Sequence, residues 1–157
     1  MTSIETGLDA DARAGAAEAL KRVLADTYAL YFKTHAFHWN VSGPQFHTLH
    51  LLFEEQYRDM WAALDVIAER IRALGVLAPA SGKAFGALAA IEDADEDQTS
   101  GEAMVKFLLA DHEALIRRAR EALAAVSQAG DAASEDLLVQ RIQIHEKFAW
   151  MLRALTQ

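Results

Sequence analysis

The amino-acid sequence predicts an all-α fold, a bundle of four long helices with a long connection between the second and third that carries a short extra helix. Three observations lead there. Apolar residues make up 52% of the 157 positions, with 8 glycines and only 2 prolines, a composition that favours long helices over a turn-rich sheet. Four segments repeat their apolar residues at helical spacing. The breaks between those segments fall on turn and capping residues.

The first helix is expected from about Asp11 to Trp39, where Leu20, Val23, Leu24, Thr27, Tyr28, Leu30 and Tyr31 keep the helical period. Asn40-Val41-Ser42-Gly43-Pro44 ends it, and Pro44 suits the first position of the next helix, where its missing N–H costs nothing. The second helix is expected to run to Leu74, with Gly75 as its stop and Leu49, Leu52, Phe53, Met60 and Ile67 on its core face. The connection from Gly75 to Thr99 is long for a loop. It opens with Pro79 and Ser81-Gly82, has room for a short helix at about Ala84 to Ile91, and closes on the acidic run Glu92 to Asp97. Thr99 with Glu102 reads as a capping box for the third helix, which continues through Phe107, Leu108, Leu115 and Val126 to Gly130. Asp131 can cap the fourth helix, which ends near Leu155. A long connection after the second helix lets the second and third run parallel. An ordinary up-down bundle with a long middle loop fits the same pattern.

Composition removes several kinds of chemistry. There is no cysteine, which excludes disulfides, thiolate metal sites and a cysteine nucleophile. Any transition metal must sit on His, Asp and Glu. No apolar run reaches the ~18 residues needed to span a bilayer. Met1 to Asp11 is polar and acidic, with no basic stretch leading into an apolar one, so a secretory signal is not expected and a cytoplasmic location is. The expected organisation is one domain over residues 1–157 with a short acidic tail at about 1–10. A net charge of −8 argues against a nucleic-acid-coating surface and suits attraction of cations.

The chemistry-bearing residues crowd the first turn and the second helix. Four of the six histidines, His35, His38, His47 and His50, lie within sixteen residues; His112 and His145 stand apart. His50 and Glu54 are spaced i, i+4, and so are Asp65 and Glu69. At 100° per residue, Glu54, Asp65 and Glu69 lie about 40°, 60° and 100° round from His50, on one stripe. Such a stripe is costly to bury unless its acids are paired or bind metal. His50 and Asp65 are roughly 22 Å apart along a helix, so the two pairs cannot hold one ion within a single chain. Two copies of the helix, antiparallel about a twofold axis, would bring His50 of one against Asp65 and Glu69 of the other. His38, just before the turn, could complete the imidazole side. Mixed imidazole and carboxylate ligation with open positions suits iron redox chemistry. The same acidic spacing also fits a solvated helix face, and a lone histidine fits a structural role. The Glu-x-x-His signature of a site built within one bundle is absent.

The segment Lys33-Thr34-His35-Ala36-Phe37-His38-Trp39-Asn40-Val41-Ser42-Gly43-Pro44, then Leu49-His50, Phe53-Glu54 and Asp65-Val66-Ile67-Ala68-Glu69-Arg70-Ile71, resembles the Dps family of mini-ferritins. The match is dense from about Leu24 to Gly75 and weaker at Asp111-His112-Glu113 and His145 to Trp150. The resemblance implies a ferritin-like four-helix bundle assembled as a hollow homododecamer with ferroxidase sites at twofold interfaces. It implies that His38 and His50 are iron ligands from one subunit and that Asp65 and Glu69 come from its mate, with Glu54 a further ligand on the histidine side. The implied activity is oxidation of Fe(II), by hydrogen peroxide in preference to dioxygen, with ferric oxide stored inside and DNA protected from oxidative damage.

Other residues carry two readings each. Trp39 and Trp61 fit packing, or electron donation near the site as the family suggests. His35 and His47 fit outer positions around the metal, or ligands that meet iron as it enters. His112 and His145 fit structural roles. Asp131 and Asp136 resemble acids that line the family's threefold pores, and fit helix capping equally. Many family members compact DNA through a basic tail, but residues 1–12 hold Glu5, Asp9 and Asp11 and no Lys or Arg. Phosphate binding depends on cationic contacts, so weak or absent DNA binding is expected. The alternatives are a nucleoid-compacting protein with secondary iron chemistry, and a helical interaction module without metal.

Overall fold

A computed structural model describes residues 3–157. It contains five helices: α1 (Ala10–Asn40), α2 (Phe46–Ala73), the short α3 (Gly82–Leu88), α4 (Gly101–Gln128) and α5 (Ala132–Ala154). No strand forms among the described residues; a lone parallel bridge pairs Ser42 with Ser100, where Ser42 N–H donates to the Thr99 carbonyl at 3.0 Å. That bridge settles the topology. It ties the start of α2 to the start of α4, so both helices leave the same end of the bundle and run parallel. The segment between them must therefore travel the bundle's length, which is the crossover arrangement.

Two anchors hold the crossover. Asp26, buried in α1, accepts N–H bonds from Ala90 (2.7 Å) and Ile91 (3.2 Å) and pairs with Arg118 of α4 at 3.1 Å. Tyr28 packs on Phe85 of α3, with ring centres 4.8 Å apart. Sequence gave no sign of Asp26, because its partners lie more than sixty residues away.

The core is a single apolar cluster drawn from all four long helices. It includes Leu20, Leu24 and Leu30 of α1, Phe53, Met60, Ile67 and Ile71 of α2, Leu108, Leu115 and Val126 of α4, and Leu138, Ile142 and Leu152 of α5. Leu52 is only half-buried, and Tyr28 and Phe107 are exposed. Helical spacing finds apolar positions, but it does not say which of two adjacent stripes turns inward.

Several helix ends differ from expectation by a residue or two. Pro44 is not the first residue of α2. Gly43 (φ 104°) opens a tight turn in which Phe46 N–H donates to the Gly43 carbonyl, and Pro44 takes the second turn position that its fixed φ suits. The cap of α4 is Ser100, whose hydroxyl accepts from Ala103 N–H, and not Thr99, whose carbonyl is engaged by Ser42. Gly101, the first residue of α4, is buried against Leu49; a Cβ there would drive into that side chain, so the bare backbone lets α4 start close to α2. The short crossover helix begins and ends earlier than expected, with Ser81 as its cap. Gly75 (φ 88°) and Gly130 (φ 74°) end α2 and α4 as expected. Of the acidic tail, Ile4 and Leu8 offer their carbonyls to Arg13, and Leu8 packs on the core; Met1 and Thr2 lie outside the described residues. Among the described residues no helix is long and apolar enough to cross a membrane.

Candidate metal centre

The α1–α2 turn brings two imidazoles together. His38 is in the last turn of α1 and His50 in the second turn of α2. Their rings stack with centres 3.7 Å apart and planes at 14°. Each ring is held by the other residue's backbone: His38 Nδ1 donates to the His50 carbonyl at 2.6 Å, and His50 Nδ1 donates to the His38 carbonyl at 2.7 Å. A carbonyl can only accept, so both protons are fixed on Nδ1. In the neutral rings, each Nε2 then carries a free lone pair. Metal-binding histidines are oriented by just such a bond from their other nitrogen. His38 is mostly buried and His50 half-buried.

Glu54 stands one turn beyond His50, half-buried, and is engaged by Arg58 through two hydrogen bonds. The Arg58 bond, with smaller contributions from Arg58, His38 and His50 charge, holds its carboxyl below the usual range.

Asp65 and Glu69 are exposed on the same unbroken helix. The rise of α2 puts Asp65 roughly 22 Å and Glu69 roughly 28 Å from His50 along the helix. Among the described residues, no three His, Asp or Glu side chains of this chain converge on one point. The structure thus brings together His38 and His50, places Glu54 one helical turn beyond His50, and leaves Asp65 and Glu69 apart from all three.

An aromatic cluster adjoins the imidazole pair. His35 stacks on Tyr57 at 3.8 Å and 15°, shares a hydrogen bond with Tyr31 Oη at 3.0 Å, and meets Trp39 at 4.3 Å. Tyr57 lies edge-on to His38 at 5.2 Å, and Trp61 lies 5.3 Å from Tyr31. Burial and the neighbouring His38 and Arg58 lower the pKa of His35. Tyr31, His35, Tyr57, Arg58 and Trp61 line a cavity of about 410 Å³. His47 is exposed. The roles of Tyr31, Tyr57 and Arg58 escaped the sequence reading. Their i, i+4 relation to His35, Trp61 and Glu54 was the available signal.

The remaining candidates are placed elsewhere. Asp131 is buried; it caps α5, accepts from the Ser134 hydroxyl, and pairs with Arg70 at 2.7 Å. Asp136 is exposed and accepts from Gln140 at 2.7 Å. His112 and His145 are fully buried between α4 and α5, with every ring nitrogen in an internal hydrogen bond.

A ferritin-like domain model matches residues 17–157. The chain is 38% identical over 137 residues to DNA protection during starvation protein 2 of Bacillus anthracis, covering 87% of this chain and 93% of that protein. It is 39% identical to an uncharacterized low temperature-induced protein of Nostoc sp., covering all of this chain and 88% of the relative. Among solved structures, the Dps protein of Vibrio cholerae, described as a member of a broad superfamily of ferritin-like diiron-carboxylate proteins, superposes with a TM-score of 0.93 at 30% identity, over 100% of this chain and 99% of that one. The chain belongs to the Dps family of ferritin-like proteins.

Proposed function

We propose that this chain is a ferroxidase and iron-storage subunit whose sites are completed between copies. His38, His50 and Glu54 of one copy face Asp65 and Glu69 of a twofold mate, and twelve copies enclose a hollow shell in the cytoplasm. The observation that carries this reading is the reciprocal Nδ1 bonding of His38 and His50, which fixes the protons of two stacked rings on Nδ1 and leaves both Nε2 atoms as acceptors. Bonds of this kind from the other ring nitrogen orient metal-binding histidines.

The substrate is Fe(II). Two ions held by the shared ligands give one electron each to one hydrogen peroxide, which with two protons leaves as two waters. No hydroxyl radical is released on that route, which is how the protein would protect DNA. Imidazole and carboxylate ligands with open positions suit both iron states. Peroxide is the preferred oxidant in this reading, with dioxygen slower, and the ferric product is deposited inside. Asp136, exposed at the start of α5, is the acid available to line an iron inlet; Asp131 is committed to its cap and to Arg70. The net charge of −8 per copy supports weak or no DNA binding.

The test is addition of Fe(II) and then peroxide to the pure protein under anaerobic conditions. A rapid, soluble ferric absorbance is expected, and His50→Ala with Asp65→Ala should slow it by about tenfold or more. Shells reassembled from separate His50→Ala and Asp65→Ala chains should regain part of the rate, because some interfaces then hold one intact site. Oxidation no faster than in buffer, or a particle the size of a monomer, would sink the proposal.

A further inference from the structure

Glu54 is the acid beside the His38–His50 pair, and a cation already sits on it. Arg58, one turn further along α2, forks onto a single oxygen: Nε is 2.9 Å and Nη2 2.7 Å from Oε1. The guanidinium is steadied from below, since its carbon lies 5.7 Å from the centre of the Tyr57 ring, within cation–π range. That same ring stacks on His35 and meets His38 edge-on. Arg58 is therefore restrained at the carboxylate end of the site by two contacts. Both members of the pair reach solvent, with side-chain exposures of 68% for Arg58 and 31% for Glu54.

An exposed i, i+4 ion pair contributes little to the stability of a helix. Its position matters more than its strength. A divalent cation bound at the two Nε2 atoms would need a carboxylate to balance it, and the one at hand is held by a positive group. The entering ion and the guanidinium would repel each other and compete for the charge of one carboxylate.

We infer that Arg58 is a resident cation of this site: it balances Glu54 while no metal is bound and gives up that carboxylate when a divalent cation enters. The inference rests on the metal-binding reading above. Exchange of one cation for another keeps the local charge nearly balanced in both states. It also sets a threshold, because an ion that binds carboxylate weakly fails to displace a forked guanidinium. Arg58 is a positioning residue here, acting on the metal through Glu54.

Co(II), which takes similar ligands and does not turn over, is the probe. The assembled protein is titrated and binding followed by visible d–d absorbance. Arg58→Gln should bind Co(II) about threefold to tenfold more tightly than wild type. Glu54→Gln should weaken binding, and in that background Arg58→Gln should have no further effect, since the two act as one unit. The inference is overturned if Arg58→Gln binds no tighter. It is equally overturned if the gain persists without Glu54, which would mean that Arg58 acts only as a distant charge. Failure of the underlying reading has a different signature: His38→Ala and His50→Ala would leave Co(II) binding unchanged. Thermal melts of each variant confirm that the comparison is among folded shells.

Discussion

Two pairs of histidines sit in this molecule, and the helices treat them in opposite ways. His38 and His50 are stacked at the α1–α2 turn, and each spends one nitrogen on the other's backbone carbonyl. His112 and His145 lie in the centre of the bundle and spend both. Arg141 Nη2 can only donate, so His145 Nε2 accepts from it at 3.2 Å. His145 then carries its proton on Nδ1 and donates to His112 Nδ1 at 2.9 Å, and His112 Nε2 donates to the Gln56 carbonyl oxygen at 3.3 Å. Asp59 closes the far end by pairing with Arg141 at 2.7 Å. The first pair leaves both Nε2 atoms uncommitted among the described residues. The second is a closed chain of one-way hydrogen bonds linking α2, α4 and α5. An imidazole's role is set less by its burial than by whether its second nitrogen has been used.

The largest expected effect separates the two pairs by readout. His50→Ala should cut the rate of Fe(II) oxidation by about tenfold to a hundredfold while moving thermal stability little. His112→Ala should do the reverse. It leaves a buried cavity, an unpaired His145 N–H and an unpaired Gln56 carbonyl, and should cost about 3 kcal/mol or more in denaturant titrations. Shells of His112→Ala that remain folded should oxidise iron at the wild-type rate. A folded His112→Ala shell that oxidised iron slowly would erase the distinction drawn here.

The second effect is on pH. Burial lowers the pKa of His112 from 6.5 to about 3, with the Arg141 charge adding to it, and pushes His145 well below its usual value with help from His112 and Arg141. Both pKa values are lower in the folded chain than in the unfolded one. Between about pH 6.5 and pH 3 the unfolded chain therefore binds more protons, and folding stability must fall as pH falls through that window. The contribution is fully present above about pH 6.5. Denaturant midpoints measured from pH 7 to pH 4 should drop more steeply for wild type than for a His112→Gln variant, by up to roughly 1.4 kcal/mol per pH unit for the proton removed. Parallel curves would show that the core pair titrates normally.

How much of this was legible beforehand follows the same division. The stripe of His50, Glu54, Asp65 and Glu69 could be read because a single unbroken helix fixes their angles and separations. The expectation that a shared site would take a second copy rests on the length of that helix alone. The reciprocal bonds of His38 and His50 could not be read, since they depend on how two helices cross after a tight turn. Asp26 was invisible for a similar reason: it is an acid in an amphipathic helix whose partners are backbone N–H groups of the crossover. Thr99 looked like a cap because Glu102 follows three residues later, but its carbonyl is needed for the bridge to Ser42, and Ser100 takes the position. Local patterns were reliable where one element decided the outcome and failed where two elements competed for the same group.

The smallest expected effect lies at the end of the buried chain. Gln56 is fully buried, and its amide Nε2 has no hydrogen-bond partner among the described residues. Its carbonyl oxygen serves His112, but at 3.3 Å that bond is long. Replacing Gln56 with Met keeps the volume close and removes two opposed terms together. The chain loses an acceptor for His112 N–H, which destabilises, and loses a desolvated donor pair, which stabilises. These should nearly cancel, leaving a change under about 1 kcal/mol in the denaturation midpoint. A loss as large as that of His112→Ala would mean the amide nitrogen is satisfied in solution, by a buried water, and that the chain extends one member further than Gln56.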